Sequence, residues 1–216
     1  MAQNADVLVH HHDNWVQIEL NRPDRRNALT APMVAEIAKA VERANADDSV
    51  HAVLFSGAGG CFCSGLDLEH VQPGESAITA ALAELHSRLA ELEKPLVGAL
   101  ERAAVNAGAA LALACDLLVV GQQSFLMIGE ASMGVAAPHN VAWLLRKYDV
   151  NRALQLALAC ERTRGPDLLR LGMASHCVSE ADVLASAREL TARIANFRNG
   201  GGTRMKRAIH EHLLGK

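Results

Sequence analysis

Residues 59–68 are Gly59-Gly60-Cys61-Phe62-Cys63-Ser64-Gly65-Leu66-Asp67-Leu68, a glycine-flanked loop. The loop follows the apolar run Ala52-Val53-Leu54-Phe55-Ser56, which is typical of a buried strand. Glycines at the end of a strand let the backbone approach another group closely. Backbone N–H groups in such a loop can therefore point at a ligand oxygen without interference from side chains. The alternative interpretation is an ordinary loop that binds nothing.

Strand and helix patterns alternate on both sides of this loop. Before it, strand patterns at 7–9 and 15–20 lead into a helix for which Thr30 is the predicted N-cap. After it come an amphipathic helix at 77–93, a buried strand at 96–100, an Ala/Leu helix and a strand at 117–120. This alternation predicts an α/β fold with buried strands.

From about Ala142 onward the pattern is mainly helical. Helices are predicted over residues 142–147, 150–160, 166–171, 181–196 and 203–214. We therefore divide the chain into a core of residues 1–141 and a helical C-terminal region of residues 142–216.

The composition argues against several classes of protein. The chain has 216 residues, half of them hydrophobic, and a net charge of -3, so it carries no electrostatic footprint for nucleic acid. No apolar run reaches the length of a membrane span, and Met1 to Asp6 lack the pattern of a signal peptide. We expect a cytoplasmic protein whose five cysteines are reduced and mostly buried. The triplet at 10–12, His10-His11-His12, is interpreted as part of a solvated hairpin and not as a metal site.

A second segment of interest is Val105-Asn106-Ala107-Gly108-Ala109-Ala110, where small residues open a helix. The first N–H groups of a helix have no internal acceptor, and the helix dipole adds positive potential there. Such a turn could stabilise a developing negative charge. Tight helix packing by small residues is the alternative.

A third segment runs from Phe125 to Pro138, and Glu130 is its only charged residue. Desolvation among apolar neighbours raises the pKa of a carboxylate, which suits a general base near neutral pH. A structural carboxylate at a turn is the alternative. His139 could be a second titrating group, but a packed or solvated histidine is the favoured interpretation.

Together these segments resemble the crotonase superfamily, the enoyl-CoA hydratase/isomerase family. The motifs that carry the resemblance are Leu20-Asn21-Arg22-Pro23, Arg26-Asn27-Ala28-Leu29, Phe62 to Leu68, Lys94-Pro95, Leu111 to Asp116, Phe125 and Glu130 with Gly134, and Leu171-Gly172. The resemblance implies a spiral of ββα units with a helical C-terminal region used for trimerisation. It also implies an acyl-CoA thioester as substrate and a homo-trimer or hexamer.

The resemblance also implies which groups perform the chemistry. Two backbone N–H groups, those of Leu66 and Ala107, would hold the thioester oxygen. Hydratases of the family use two glutamates, of which the second matches Glu130 and the first would fall at Ala110, where this chain has none. The turn before the Ala/Leu helix also departs from the family pattern, because Glu101-Arg102 replaces Asn-Gly. An alanine at 107 still donates its N–H.

Further positions are carried over for binding the CoA part of the substrate. The expected contacts come from Arg25, Arg26, Cys63, Ser64, Gly65, Leu66, Gly108 and Lys206. Asp67 is interpreted as a structural residue of the loop. No metal or redox cofactor is expected, because CoA arrives as part of the substrate.

A single glutamate base can take a proton from C2 and return it at C4. The sequence therefore predicts a Δ3-Δ2-enoyl-CoA isomerase. The alternatives are an enoyl-CoA hydratase or another crotonase reaction, such as thioester hydrolysis or C–C cleavage, and a non-catalytic acyl-CoA-binding subunit. The chain is short for the family between Leu68 and Ala77, which predicts an open acyl pocket there.

Overall fold

A six-stranded sheet forms the centre of the computed structural model, which describes residues 5–70 and 76–213. Its order is β1-β2-β3-β4-β6-β9, antiparallel between β1 and β2 and parallel elsewhere, and β5, β7 and β8 form a smaller sheet. The strands are β1 (Val7–His11), β2 (Trp15–Leu20), β3 (Ala52–Gly57), β4 (Leu96–Leu100), β5 (Ala103–Val105), β6 (Leu117–Gly121), β7 (Phe125–Met127), β8 (Thr163–Arg164) and β9 (His176–Val178). The predicted open-pocket loop falls largely on residues 71–75, which lie outside the described part.

Helices follow or cover these strands. They are α1 (Ala31–Ala46), α2 (Ser76–Glu91), α3 (Ala107–Ala114), α4 (Pro138–Lys147), α5 (Val150–Ala159), α6 (Gly165–Arg170), α7 (Val183–Ala195) and α8 (Gly201–Leu213). The predicted cap of α1 is confirmed, since Thr30 Oγ1 accepts a hydrogen bond from Met33 N at 3.4 Å. Within the described ranges, no helix has both the length and the apolar character needed to cross a membrane.

The two faces of the large sheet bury different sets of side chains. Val53 and Phe55 in β3 belong to the main core, together with apolar residues of α1, α2 and α3. Leu54, between them, points to the other side, where it packs with Leu190 and other residues of α7. This alternation with a period of two is what a strand covered on both faces requires. The predicted α/β fold with buried strands is confirmed.

The sequence patterns do not predict the shortest strands. Strands β5, β7, β8 and β9 have two or three residues each, and β8 and β9 lie within the region predicted to be helical. Helix α4 begins at Pro138 and not at Ala142, so it spans the predicted division after residue 141. Residues 142–216 therefore complete both sheets as well as supplying helices. A three-residue strand has too short a pattern to be recognised without its partner.

The hairpin and the cysteines have the structures expected of them. His11 ends β1, and the ring of His12 stacks on Trp15 with 3.7 Å between ring centroids. The five cysteines are free, and Cys61, Cys63 and Cys115 are buried. Among the described residues, no group of three or more His, Cys, Asp or Glu side chains could hold a metal ion.

Asp67 anchors the end of the glycine-flanked loop. Its buried carboxylate accepts hydrogen bonds from Arg22 Nη2 at 2.9 Å and Arg25 Nη2 at 3.1 Å, and His70 Nδ1 lies 3.0 Å away. Burial by itself raises the pKa of Asp67, but the bonds from His70, Arg22 and Arg25 outweigh it and hold that pKa well below the usual range. The structure therefore supports the interpretation of Asp67 as a structural residue.

The replacement Asp67→Asn should lower the free energy of unfolding by about 3 kcal/mol, because it removes the buried charge partner of Arg22 and leaves it the more distant and exposed carboxylate of Asp6, at 3.7 Å. Urea unfolding at pH 7 measures this change. The control is Asp167→Asn, which removes an exposed ion pair with Arg170 and should cost less than about 1 kcal/mol. Equal losses in the two variants would contradict the anchoring role.

Candidate active site

Backbone hydrogen bonds tie the glycine-flanked loop to strand β5. Cys63 N donates to Ala103 O at 3.0 Å, and Val105 N donates to Cys63 O at 3.0 Å. The loop thus runs parallel to β5 and reaches the start of α3, which follows β5 directly. The thiol of Cys63 is fully enclosed, and burial raises its pKa to about 12, so it stays protonated and does not act as a nucleophile.

The N–H group of Leu66 is left available by the way the loop pairs with the preceding segment. Leu29 N donates to Gly65 O at 2.8 Å, and Asp67 N donates to Leu29 O at 2.9 Å. In such a parallel bridge the N–H of the central residue, Leu66, points to the opposite side. No acceptor for that N–H is found within residues 5–70 and 76–213.

Two glycines let the loop and the first turn of α3 touch. A Cβ atom at Gly108 would lie 2.5 Å from Cys63 O, closer than any side chain permits. Gly65 has a φ of +103°, and a Cβ atom there would lie 3.1 Å from Val105 O. The residues that follow Gly65 and Asn106 are Leu66 and Ala107, so the structure brings the two predicted N–H donors into adjacent segments.

The turn before α3 has positive φ angles at two residues that are not glycine. Arg102 and Asn106 have φ values of 56° and 52°, in the region that favours glycine and tolerates asparagine. The ψ of Asn106 is -113°, an uncommon combination of the kind that occurs at functional sites. Ala110 N donates to Asn106 O at 3.0 Å, so the helix bonds begin beyond Ala107 and leave its N–H without a partner among the described residues.

Glu130 follows β7 and begins a short 3-10 helix, Glu130–Met133. Its Oε1 accepts a hydrogen bond from Asn140 Nδ2 at 2.9 Å. Its Oε2 is buried and has no hydrogen-bond partner in the described part of the chain. Burial raises the pKa of Glu130, while hydrogen bonds from its own backbone, from Asn140 and from the backbone of Gly129 oppose this rise. The pKa of Glu130 is therefore raised, in the direction that the sequence predicts.

Two asparagines join the Glu130 segment to the start of α3. Asn140 Nδ2 also donates to Asn106 O at 3.1 Å, and Gly129 N donates to Asn106 Oδ1 at 2.8 Å. Neither side chain is predicted from the sequence to have a role. An asparagine two residues after Pro138, in the first turn of a helix, has no local pattern that would reveal such a bond.

His139 stacks on a second histidine, His86, which the sequence patterns do not single out. The rings of His86 and His139 are 4.3 Å apart, and His86 Nδ1 accepts a hydrogen bond from Trp143 Nε1 at 2.9 Å. Burial, with a smaller contribution from His139, lowers the pKa of His86 to about 3. Burial also lowers the pKa of His139. Both rings are therefore neutral near pH 7, and the stacking on His86 agrees with the interpretation of His139 as a packed histidine.

The residues predicted to contact CoA lie in two separate parts of the structure. The first part is the glycine-flanked loop with the arginine turn that precedes it. Ser64 N donates to Arg26 O at 3.0 Å, so Ser64 and the arginine turn lie together, and the side chain of Arg26 is exposed. The guanidinium of Arg25 is paired with Asp67 and Glu69. These contacts bring Arg25, Arg26 and Ser64 to the same loop as Gly65 and Leu66.

Lys206 is not brought to that loop. Its amine donates to Asp116 Oδ2 at 2.7 Å and to Lys94 O at 3.0 Å. Asp116 follows the C-terminal end of α3, whereas Ala107 lies at its N-terminal end. A large cleft of about 1030 Å³ also lies at the Asp116 end, between α8 and the core, away from Glu130. The contact of Lys206 with CoA stays a prediction, and within one chain this lysine is held by Asp116.

Comparison with known proteins identifies the family to which this fold belongs. A family model described as Enoyl-CoA hydratase/isomerase matches residues 11–213. The chain belongs to this family, and its spiral of strands and helices is the crotonase fold. A crystal structure of an enoyl-CoA hydratase from Mycobacterium avium subsp. paratuberculosis K-10 superposes with a TM-score of 0.89 at 27% identity, covering 99% of this chain and 88% of that one.

Two relatives show the range of names in the family. A protein of Arabidopsis thaliana named probable enoyl-CoA hydratase 1, peroxisomal, is 32% identical over 201 residues, which is 91% of this chain and 75% of the relative. The 1,2-epoxyphenylacetyl-CoA isomerase of Escherichia coli (strain K12) is 29% identical over 213 residues, which is 94% of this chain and 81% of the relative.

The buried histidine makes stability depend on pH. An unfolded His86 takes up a proton below its ordinary pKa of 6.5, whereas the folded one stays neutral down to about 3. The free energy of unfolding should therefore fall as pH drops below 6.5, by up to about 1.4 kcal/mol per unit from this group.

Urea unfolding at pH 7, 6 and 5 measures this slope. His86→Gln keeps an acceptor for Trp143 Nε1 and should give a shallower slope than the unmodified protein. The exposed His212 provides the control, since His212→Gln should leave the slope unchanged. Parallel slopes in all three proteins would show that His86 does not carry the effect.

Proposed function

We propose that this acyl-CoA enzyme moves a double bond from the Δ3 to the Δ2 position of an enoyl-CoA. The observation that carries the proposal is the half-buried carboxylate of Glu130 near two backbone N–H groups, those of Leu66 and Ala107, that have no partner among residues 5–70 and 76–213. The position of a second glutamate is occupied by Ala110, a buried residue in the first turn of α3 that has no group able to hold a water molecule.

In the proposed first step, the thioester oxygen accepts hydrogen bonds from the N–H groups of Leu66 and Ala107. The positive end of the α3 dipole lies at the same place. Removal of the C2 proton sends negative charge to this oxygen, and the two donors stabilise the dienolate that results. One such donor is typically worth about 10²–10³ in rate.

Glu130 is the proposed base in both proton transfers. Its raised pKa brings the carboxylate closer to the acidity of the reacting carbon than an exposed glutamate would be. The carboxylate takes the proton from C2 and returns it at C4, so atoms and charge balance within the substrate. Because the step only moves a proton and a double bond, it calls for no metal or redox cofactor, and CoA enters as part of the substrate.

We also propose that copies of the chain associate as a trimer or a hexamer. The helices α4 and α5 expose large apolar side chains, among them Leu145, Val150, Leu154 and Leu158. Exposed apolar residues in such number are typical of surfaces that meet another protein chain.

An enoyl-CoA hydratase is the second candidate, and the names of relatives favour it. The absence of a glutamate at Ala110 is the observation against it, because one carboxylate cannot easily position water and also protonate the adjacent carbon. Thioester hydrolysis, C–C cleavage and a non-catalytic acyl-CoA-binding role are the remaining outcomes that an assay must separate.

Purified protein should be given 3-enoyl-CoA and 2-enoyl-CoA separately, and products followed by absorbance and by mass. Isomerisation yields a new conjugated absorbance with unchanged mass. A gain of one water would instead identify a hydratase, and release of free CoA would identify a hydrolase. Tight binding of CoA with no turnover of any acyl-CoA would identify a non-catalytic subunit.

Replacing the proposed base should abolish most of this activity. We expect Glu130→Gln to lower kcat by about 10²–10⁴-fold, because an amide cannot accept the C2 proton. The exposed Glu161 supplies the control, and Glu161→Gln should retain full activity. Steady-state kinetics with 3-enoyl-CoA measure both variants, and an active Glu130→Gln enzyme would remove Glu130 from the mechanism.

The pH dependence of kcat/KM should report the carboxylate. Glu130 must be ionised to act, and its pKa is raised above the ordinary value of 4.5. Activity should therefore be present at neutral pH and fall as pH decreases through that raised pKa, at a pH above 4.5. An acid limb at or below pH 4.5 would be inconsistent with Glu130 as the base.

A further inference from the structure

We propose that Asn140 is a positioning residue that aligns the carboxylate of Glu130 with the N–H group of Ala107. The inference rests on the proposed function and deepens it. A single amide nitrogen, Nδ2 of Asn140, lies 2.9 Å from Glu130 Oε1 and 3.1 Å from Asn106 O. The amide has two hydrogens on that nitrogen, one for each acceptor.

The orientation of the Asn140 amide follows from its partners. Both neighbours are oxygen atoms that can only accept, a carboxylate and a carbonyl, so only the nitrogen end of the amide can face them. Asn140 is 2% exposed and lies in the first turn of α4, where the buried side chains of Trp143 and Leu144 fix the helix against the core. The amide is therefore held in place by the fold and not by solvent.

The hydrogen bond from Asn140 to Glu130 distinguishes the two carboxylate oxygens as acceptors of the substrate proton. Oε1 is occupied by the N–H of Asn140, whereas Oε2 is buried and has no partner in the described residues. Oε2, the oxygen without a partner among those residues, is therefore assigned as the acceptor of the substrate proton. The same bond stabilises the ionised form of Glu130 against the effect of burial.

The hydrogen bond from Asn140 to Asn106 O affects the proposed oxyanion donor, the N–H group of Ala107. The carbonyl of Asn106 and the N–H of Ala107 belong to one planar peptide group. Asn106 O also accepts a hydrogen bond from Ala110 N at 3.0 Å, so the bond from Asn140 adds a second donor on the carbonyl, which further restricts the plane of that group and the direction of the N–H and further polarises the N–H. Asn106 reinforces the link, because its own Oδ1 accepts a hydrogen bond from Gly129 N, next to Glu130.

Few other groups influence the pKa of Glu130. Besides burial, the contributions come from its own backbone, from Asn140 and from the backbone of Gly129. The titratable groups that pack together on α4 and α2 are His139 and His86, and burial lowers the pKa of both. A change at Asn140 should therefore appear directly in the titration of Glu130.

The test uses NMR titration of protein labelled with ¹³C at the glutamate side-chain carboxyl, with Glu130→Gln to assign the resonance. In Asn140→Ala the pKa of Glu130 should rise by about 1 pH unit, since a hydrogen bond to the charged form is lost. Asn140→Leu keeps a similar volume, removes the donor without adding a charge and should raise that pKa by a similar amount. It also keeps the test decisive if the alanine variant does not fold.

A second NMR measurement follows the N–H group of Ala107, the proposed oxyanion donor. The ¹⁵N resonance of the Ala107 amide should move upfield in both variants, while that of Leu66 stays unchanged. The control is Asn45→Ala, which removes a helix-borne asparagine that also links two segments, through Glu91 O and Glu93 N, away from the site. It should shift neither the Glu130 titration nor the Ala107 resonance.

Kinetics with 3-enoyl-CoA complete the experiment. In Asn140→Ala, kcat should fall by about tenfold to a hundredfold with little change in KM, which is less than the loss of an oxyanion donor itself. The acid limb should move to higher pH by the same amount as the titration. An unchanged Glu130 titration or an unchanged Ala107 resonance would overturn the proposal. Absence of isomerase turnover in the unmodified protein would overturn only the proposed function, because the two NMR readouts need no substrate.

Discussion

The contact between the glycine-flanked loop and the first turn of α3 is the constraint on which the site depends. Cys63 pairs through its backbone with β5, and Gly108 lies against it so closely that a Cβ atom would clash. The N–H groups of Leu66 and Ala107, which have no partner in the described part of the chain, lie in adjacent segments only because nothing larger than hydrogen stands between those segments. The scarcity of aromatic residues and the abundance of alanine in the chain serve this close packing.

The two carboxylates near this contact show how partners decide the effect of burial. Asp67 is buried among Arg22, Arg25 and His70, and its pKa is held well below the usual range although burial acts in the opposite direction. Glu130 receives hydrogen bonds from backbone N–H groups and from the amide of Asn140 but has no cation beside it among the described residues, so burial prevails and its pKa is raised. The first carboxylate is thereby suited to hold the loop, and the second to exchange a proton.

Helix α3 connects these features, because the backbone groups at its two ends differ in their hydrogen-bond partners. At its C-terminal end the amine of Lys147 donates to Leu113 O and Cys115 O, which satisfies carbonyl groups that the helix leaves unpaired. A positive charge at this end also complements the helix dipole. At the N-terminal end the N–H of Ala107 is left unpaired among the described residues, so the positive end of the dipole is where the proposed oxyanion would form.

Local patterns in the sequence determined the long strands and helices, the cap at Thr30, the glycines that allow close approach and the choice of Glu130 as an isolated carboxylate. These depend on neighbours within a few turns of chain, which periodicity records. The tertiary structure alone decided the short strands, the pairing of Lys206 with Asp116, and the stacking of His86 on His139. It alone placed Asn140 between Glu130 and Asn106, because a contact between residues 34 positions apart leaves no trace in the local spacing of either segment.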